Sequence, residues 1–174
     1  MPDKETEPCP EHRHRLIDPI EFRRVLGHFA TGVAIVTSRH ADGRPCGLTV
    51  NALCSVSLHP LLILVCVERD ADSHACIGAA GAYAVNVLGE RRGENLSRRF
   101  ATWGVDDKFR GVAYREEMTG APVLDDALAW MDCRVVETHA GGDHTIFIGE
   151  VAAADAREGT PLVYYRGGYG RFIP

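Results

Sequence analysis

The chain has 174 residues, with 19 Lys and Arg against 24 Asp and Glu, giving a formal charge of -5 at pH 7 with neither sign gathered into a block. That length suits one domain, and the charge balance speaks against a nucleic-acid or anionic-membrane partner. No apolar run approaches the roughly 20 residues that span a bilayer, and the opening MPDKETEPCPEHRHR is polar where a signal peptide needs an apolar stretch. The expectation is a cytoplasmic protein with a flexible leader over 1–17 and a single domain over 18–174.

Asp18 can cap a helix that begins at Pro19, with Glu21 placed to complete a capping box. Phe22, Val25, Leu26 and Phe29 then follow helical spacing, and Gly32 is read as the stop. VAIVTS, from Val33 to Ser38, is β-branched enough for a strand, and Asp42-Gly43 signals a hairpin whose second arm runs from Cys46 to Cys54. After Pro60, the run Leu61 to Val67 reads as a third strand, unbroken in its apolar character and suited to a barrel interior.

A short helix from Asp72 or Ser73 to Ala80 has a polar cap and a stop at Gly81, followed by a strand from Tyr83 to Leu88. Glu90 to Ala101 reads as an amphipathic helix. Thr102 to Leu124, punctuated by Gly104, Gly111, Gly120 and Pro122, reads as loop with at most one short strand. Strands return at Ala129 to Thr138, Thr145 to Ala153 and Pro161 to Arg166, separated by the turns AGGD and REGT. Strands joined by short turns, with helices that do not alternate in βαβ fashion, predict a mainly β protein, an antiparallel barrel with peripheral helices. GxGxxG and GxxxxGK[ST] are both missing, so a dinucleotide would bind without a Rossmann fingerprint.

The six cysteines include no CxxC pair; with the cytoplasmic reading they are expected to be reduced, structural thiols. Cys9, His12 and His14 form the one cluster of potential metal ligands, but they sit in the polar leader, so no metal site is expected. Thr49 and Asn51 share a face of their strand and make a polar pair in apolar surroundings, suited to the edge of a planar heterocycle. Ser55 and Ser57 could hold a ribityl or phosphate oxygen. The competing reading is that Thr, Asn and Ser near a strand end satisfy turns and caps.

GLTVNALCSVSLHP, preceded by FRRVLGHFATGVAIVTS and followed by LLILVCV, resembles the N-terminal half of the flavin reductase-like family. AYAVNVL, RFATWGVDDKF, GGDHTIFIGEV and YYRGGYG continue the match in order, so that it covers nearly everything from Ile20 to Phe172. The resemblance implies the FMN-binding split β-barrel, of antiparallel Greek-key topology. It implies cofactor contacts from Thr49, Val50, Asn51 and Ala52 to the isoalloxazine and from Ser55, Val56 and Ser57 to the ribityl and phosphate portion, with a further phosphate or adenylate contact near Ser73 and with Arg99 and Phe100 bordering the flavin tail. RDADSH, around Ser73, departs from the Ser/Thr-rich and basic pattern associated with that position.

His144 is open to two readings, a turn histidine satisfied by Asp143 or a group that positions the nicotinamide; the resemblance favours the second. Tyr169 is either barrel packing with a polar tip or part of the same pocket, where the glycines of YRGGYG would let backbone approach a ligand. The implied activity is NAD(P)H:flavin oxidoreduction. Hydride passes from NADH or NADPH to FAD or FMN, and the reduced flavin goes to a partner monooxygenase; the resemblance also implies a homodimer. The alternatives are a non-catalytic flavin carrier or redox sensor, and a split barrel adapted to another ligand.

Overall fold

The structure, a computed structural model, describes residues 17–105 and 107–173; the leader's Cys9, His12 and His14 therefore lie outside the described residues. Asp18 does cap the first helix, α1 (Pro19–Leu26), its carboxylate accepting from the amides of Ile20 and Glu21 at 2.8 and 3.0 Å. No capping box closes, because the Glu21 carboxylate instead pairs with Arg24 at 2.6 and 2.7 Å. The helix ends at Gly27 rather than Gly32. The amides of His28 and Phe29 turn back to Val25 and Leu26 in tighter turns, and Thr31 and Gly32 are taken up as a short strand, β1 (Thr31–Gly32).

The hairpin at Asp42-Gly43 joins β2 (Ala34–Arg39) to β3 (Pro45–Val50), with Gly43 at φ 83°. The predicted second arm is broken at Asn51 and Ala52, and the chain resumes as β4 (Leu53–Leu58), hairpinned to β5 (Leu61–Glu68). β5 is not buried throughout: Ile63, Val65 and Val67 are buried, while the alternate residues are partly exposed. Next come α2 (Asp72–Ala80), β6 (Ala82–Leu88) and α3 (Glu90–Ala101). Ala71 stands at the α2 cap without a side-chain bond, so the predicted polar cap is missing, while Gly81 at φ 63° ends the helix as expected. Arg91 and Arg92 are non-helical, so regular α3 geometry starts after them.

Thr102 to Leu124 holds two short strands, β7 (Tyr114–Glu116) and β8 (Pro122–Leu124), which pair with each other. The long hairpin of β9 (Ala127–Gly141) and β10 (His144–Ala156) follows, then β11 (Leu162–Tyr165) and β12 (Gly168–Arg171). YRGGYG thus forms a hairpin that the sequence reading left out. Tyr165 pairs with Gly168 across Arg166 and Gly167, both at positive φ, as a tight hairpin turn requires.

Seven strands lie in one antiparallel sheet in the order β3-β2-β6-β9-β10-β5-β4. Its two edge strands are consecutive in the chain. Laid flat, seven strands would hold the edges roughly 28 Å apart, yet the step from Val50 to Leu53 spans at most roughly 11 Å. The sheet must therefore curl until its edges meet, which makes a split barrel with a seam at Asn51 and Ala52. The Cys66 amide donates to the Ala52 carbonyl at 3.1 Å, which extends the β4–β5 ladder one residue back toward the seam. Val36, Val50, Val65, Tyr83, Val85 and Phe147 belong to the barrel core. Ile35, Leu88, Phe100, Phe109, Leu124 and Leu162 form a second core that includes α3.

The thiol expectation fails at one pair: Cys46 on β3 and Cys76 on α2 are joined by a disulfide, with Cα atoms 6.7 Å apart and a sequence separation of 30. Nothing in local spacing announces such a long-range pairing. Cys133 is buried as expected, Cys66 is half-buried and Cys54 is exposed.

Candidate functional site

A cleft of about 220 Å³ opens at the seam. Leu48, Thr49, Val50, Asn51 and Ala52 form one wall, β5 supplies Cys66 and Glu68, and Ser73 comes from the start of α2. Phe100 and Trp103 close the end beside α3, and His144 enters from the start of β10. A second cleft, of about 530 Å³, shares Asp72, Ser73 and Lys108 with the first. The two clefts therefore adjoin, with Lys108 and Asp72 placed between them.

β3 is an edge strand, so one side of its backbone has no ladder partner and is available to a ligand's donors and acceptors. The Thr49 hydroxyl donates to the Ser97 carbonyl of α3 at 2.7 Å, and its oxygen keeps acceptor capacity. Asn51 lies just past the strand; its Nδ2 donates to Thr31 Oγ1 at 3.3 Å, which leaves Oδ1 unengaged by that contact. Gly47 allows the Phe100 ring onto β3, since a Cβ there would lie 3.0 Å from the ring and 3.1 Å from the Val36 carbonyl.

Lys108 donates to the Phe100 carbonyl at 3.2 Å, and burial lowers its ammonium below the ordinary lysine range, with Asp72 partly opposing that. Burial likewise raises the Cys66 thiol. His144 Nδ1 lies 2.7 Å from the Asp143 carboxylate, and this hydrogen bond is the first cause holding Asp143 below the usual carboxylate range. A neutral ring that donates Nδ1–H to Asp143 presents Nε2 as an acceptor.

Of the residues singled out in the sequence, the cleft gathers Thr49, Val50, Asn51, Ala52, Ser73, Phe100 and His144. Ser55, Val56 and Ser57 do not line it; they sit on β4, where the pairing with β5 is irregular between Ser55 and Ser57. Ser57 Oγ accepts from the His59 amide at 3.1 Å, the turn role of the competing reading. Arg99 is drawn off to the Asp107 and Arg110 carbonyls at 3.2 and 2.6 Å. Tyr169 is also outside the cleft: its hydroxyl meets Ser97 Oγ at 2.7 Å, and its ring lies under the Arg98 guanidinium and against Tyr164. Trp103, Lys108 and Glu68 were missed; Trp103 and Lys108 belong to the segment read as loop, where an aromatic and a lysine within RFATWGVDDKF were the available signal.

The fold and cleft define a class, an antiparallel split-barrel β protein with a cleft at its seam. The match to the flavin reductase like domain runs over residues 26–172, and the chain belongs to that family. It is 44% identical over 168 residues to the reductase component of a 4-nitrophenol 4-monooxygenase/4-nitrocatechol 2-monooxygenase from Rhodococcus opacus, covering 97% of this chain and 89% of that protein. A flavin reductase (NADH) from Kitasatospora aureofaciens is 43% identical over 161 residues, covering 90% of this chain and 83% of that one. Among solved structures, the NADH:FAD oxidoreductase of Streptomyces globisporus, in complex with NAD and FAD fragments, superposes with a TM-score of 0.83 at 38% identity, covering 91% of this chain and 97% of that one.

Proposed function

We propose that this protein is an NADH:flavin oxidoreductase that reduces FAD or FMN and delivers the reduced flavin to a separate monooxygenase. The observation that carries the reading is the seam cleft, which brings Thr49, Asn51, Ser73, Phe100 and His144 from separate parts of the chain into one groove. NADH is preferred to NADPH on the strength of the relatives named for it. A location in the cytoplasm accords with the absence, among the described residues, of any helix long and apolar enough to cross a membrane.

The residues present suit a flavin. The free edge of β3 and the Asn51 Oδ1 match a heterocycle with donors and acceptors along one side, while Leu48, Phe100 and Trp103 give its rings an apolar wall. Lys108 and the N-terminus of α2 at Ser73 provide positive potential for phosphate, against which Asp72 counts as an opposing charge. When bound, the flavin supplies the electron-accepting centre for a hydride from the dihydronicotinamide. The protein's part is positioning and exclusion of water, with no acid–base pair required. Held by Asp143, His144 offers Nε2 to the carboxamide NH₂ of a nicotinamide. The donors beside Thr49 and Asn51 stabilise negative charge that builds on the flavin's polar edge.

Ser55, Val56, Ser57, Arg99 and Tyr169 stay in the proposal as contacts for the extended parts of the ligands beyond the cleft. We also propose a homodimer, whose second copy covers α1. Mixing the protein anaerobically with excess FAD or FMN and NADH tests the reading. Loss of flavin and nicotinamide absorbance over many turnovers is the expected result, whereas flavin binding without bleaching would replace it with a carrier or sensor.

A further inference from the structure

His40, Cys46 and Cys76 are brought together, and none of the three lines the seam cleft. One nitrogen of the His40 ring and the two sulfurs all lie within 4.8 Å of one another. The two cysteines are buried and come from different rigid elements, β3 and α2, while His40 stands at the mouth of the β2–β3 turn. That turn is closed by the His40 amide donating to the Arg44 carbonyl at 2.9 Å and by the Gly43 amide donating to the His40 carbonyl at 2.9 Å. The histidine backbone is therefore fixed beside the sulfurs.

The Cα separation of the cysteines, 6.7 Å, lies at the wide end of what disulfides span. Tetrahedral zinc, with bonds of about 2.3 Å to sulfur and 2.0–2.1 Å to nitrogen, sets neighbouring ligand atoms roughly 3.5–3.8 Å apart. Rotation of the two cysteine side chains away from each other would meet that spacing with the backbone as it stands. We propose that, in its dithiol state, this cluster is a two-thiolate, one-imidazole site for a soft divalent cation of the zinc type. The fourth position faces the larger cleft, which His40 and Cys46 both line, and is filled by water.

The two states are related by ordinary exchange chemistry. Two equivalents of a small thiol, or one dithiol, break the sulfur–sulfur bond; the reductant leaves as its own disulfide, and Cys46 and Cys76 each gain a proton. Metal entry then forms two metal–sulfur bonds and one metal–nitrogen bond and releases one proton from each thiol, with no change of oxidation state. Disulfides are rare in reducing compartments, so the dithiol state is the relevant one in the proposed cytoplasmic setting. In either state α2 stays tied to β3, through sulfur alone or through a metal. The proposal stands independently of which flavin or nicotinamide the groove takes.

The test uses the full chain carrying Cys9→Ser, which removes the leader thiol, reduced and then freed of reductant under anaerobic conditions. Titration with Co²⁺ should give one equivalent bound per chain, with thiolate-to-metal charge-transfer absorption and the intense visible bands of tetrahedral cobalt. Zn²⁺ should displace the cobalt and raise Tm. His40→Ala should weaken Zn²⁺ binding at least about tenfold, since even loss of an outer partner costs that much in known sites. Cys76→Ser should abolish the charge-transfer band, while Cys54→Ser should leave it intact. Absence of the band in reduced protein would overturn the proposal, as would a band that survives Cys76→Ser. Should Cys76→Ser fail to fold, the cobalt spectrum and the His40→Ala affinity still decide.

Discussion

Tyr83 carries its hydroxyl into the barrel core, where, among the described residues, it has no hydrogen-bond partner, and burial drives its phenol far above the usual range. The neighbouring Cys133 thiol is pushed up to about 12, chiefly by burial, so it packs as an apolar group. Gly149 leaves the room for this arrangement: a Cβ there would overlap the Tyr83 hydroxyl and come within 2.9 Å of Cys133 Cβ. Gly149→Ala should cost about 1–3 kcal/mol in chemical denaturation through overpacking. Tyr83→Phe should leave stability unchanged or raise it by up to about 1 kcal/mol, because it removes a buried, unpaired group. In the double variant Tyr83→Phe should recover part of the Gly149→Ala loss. His144→Ala belongs to the same scale: it should lower kcat/KM for NADH by roughly tenfold while the flavin Kd, from fluorescence titration, moves less than about twofold.

α3 reaches the site through two contacts with β3, the Thr49 hydroxyl on the Ser97 carbonyl and the Phe100 ring on Gly47. Phe100 is also held edge-on by Phe109, 5.0 Å between ring centres, so the ring has little freedom to retreat. Gly47→Ala should therefore displace the α3 end of the cleft, costing about 1–3 kcal/mol of stability and weakening flavin binding in the same titration. Elements of this kind were legible where short-range rules decide them: the Asp18 cap, the Asp42-Gly43 turn and the Gly81 stop all act within a few residues. Phe29 and the predicted Gly32 stop went wrong because β1 pairs with β11, more than a hundred residues on, and that partner outweighs helical spacing. The break at Asn51 was hidden for a related reason, since the local pattern favours continued strand and only closure of the sheet requires a bend. Of the site, GLTVNA was legible as a polar edge in an apolar strand. Lys108 and Trp103 were not, because their meeting with β3 is set by the path of the whole 102–124 segment.

At the scale of the whole molecule, α1 buries none of its residues and leaves Phe22, Val25 and Leu26, which share one face, 54%, 51% and 56% exposed, with Phe29 just beyond it at 73%. A contiguous apolar face of that kind is usually covered by a partner. Sedimentation equilibrium should give a dimer mass, and Phe22→Glu together with Phe29→Glu should raise the dimer dissociation constant by roughly a hundredfold, near 3 kcal/mol. A monomeric parent protein would remove the need for that cover.

The short link at Asn51 and Ala52 bears on how the protein breathes. A sheet whose edges are neighbours in the chain but have no ladder between them opens most readily along that line, before its central strands part. A ligand gripping the free edge of β3 favours the closed population and withdraws it from the opening equilibrium. Flavin should therefore slow amide hydrogen exchange in β3, β4 and the turn between them, while leaving β6 and β9, paired on both sides in mid-sheet, nearly unchanged. Uniform slowing across all seven strands would mean that the barrel opens as one unit, with the seam no weaker than the rest.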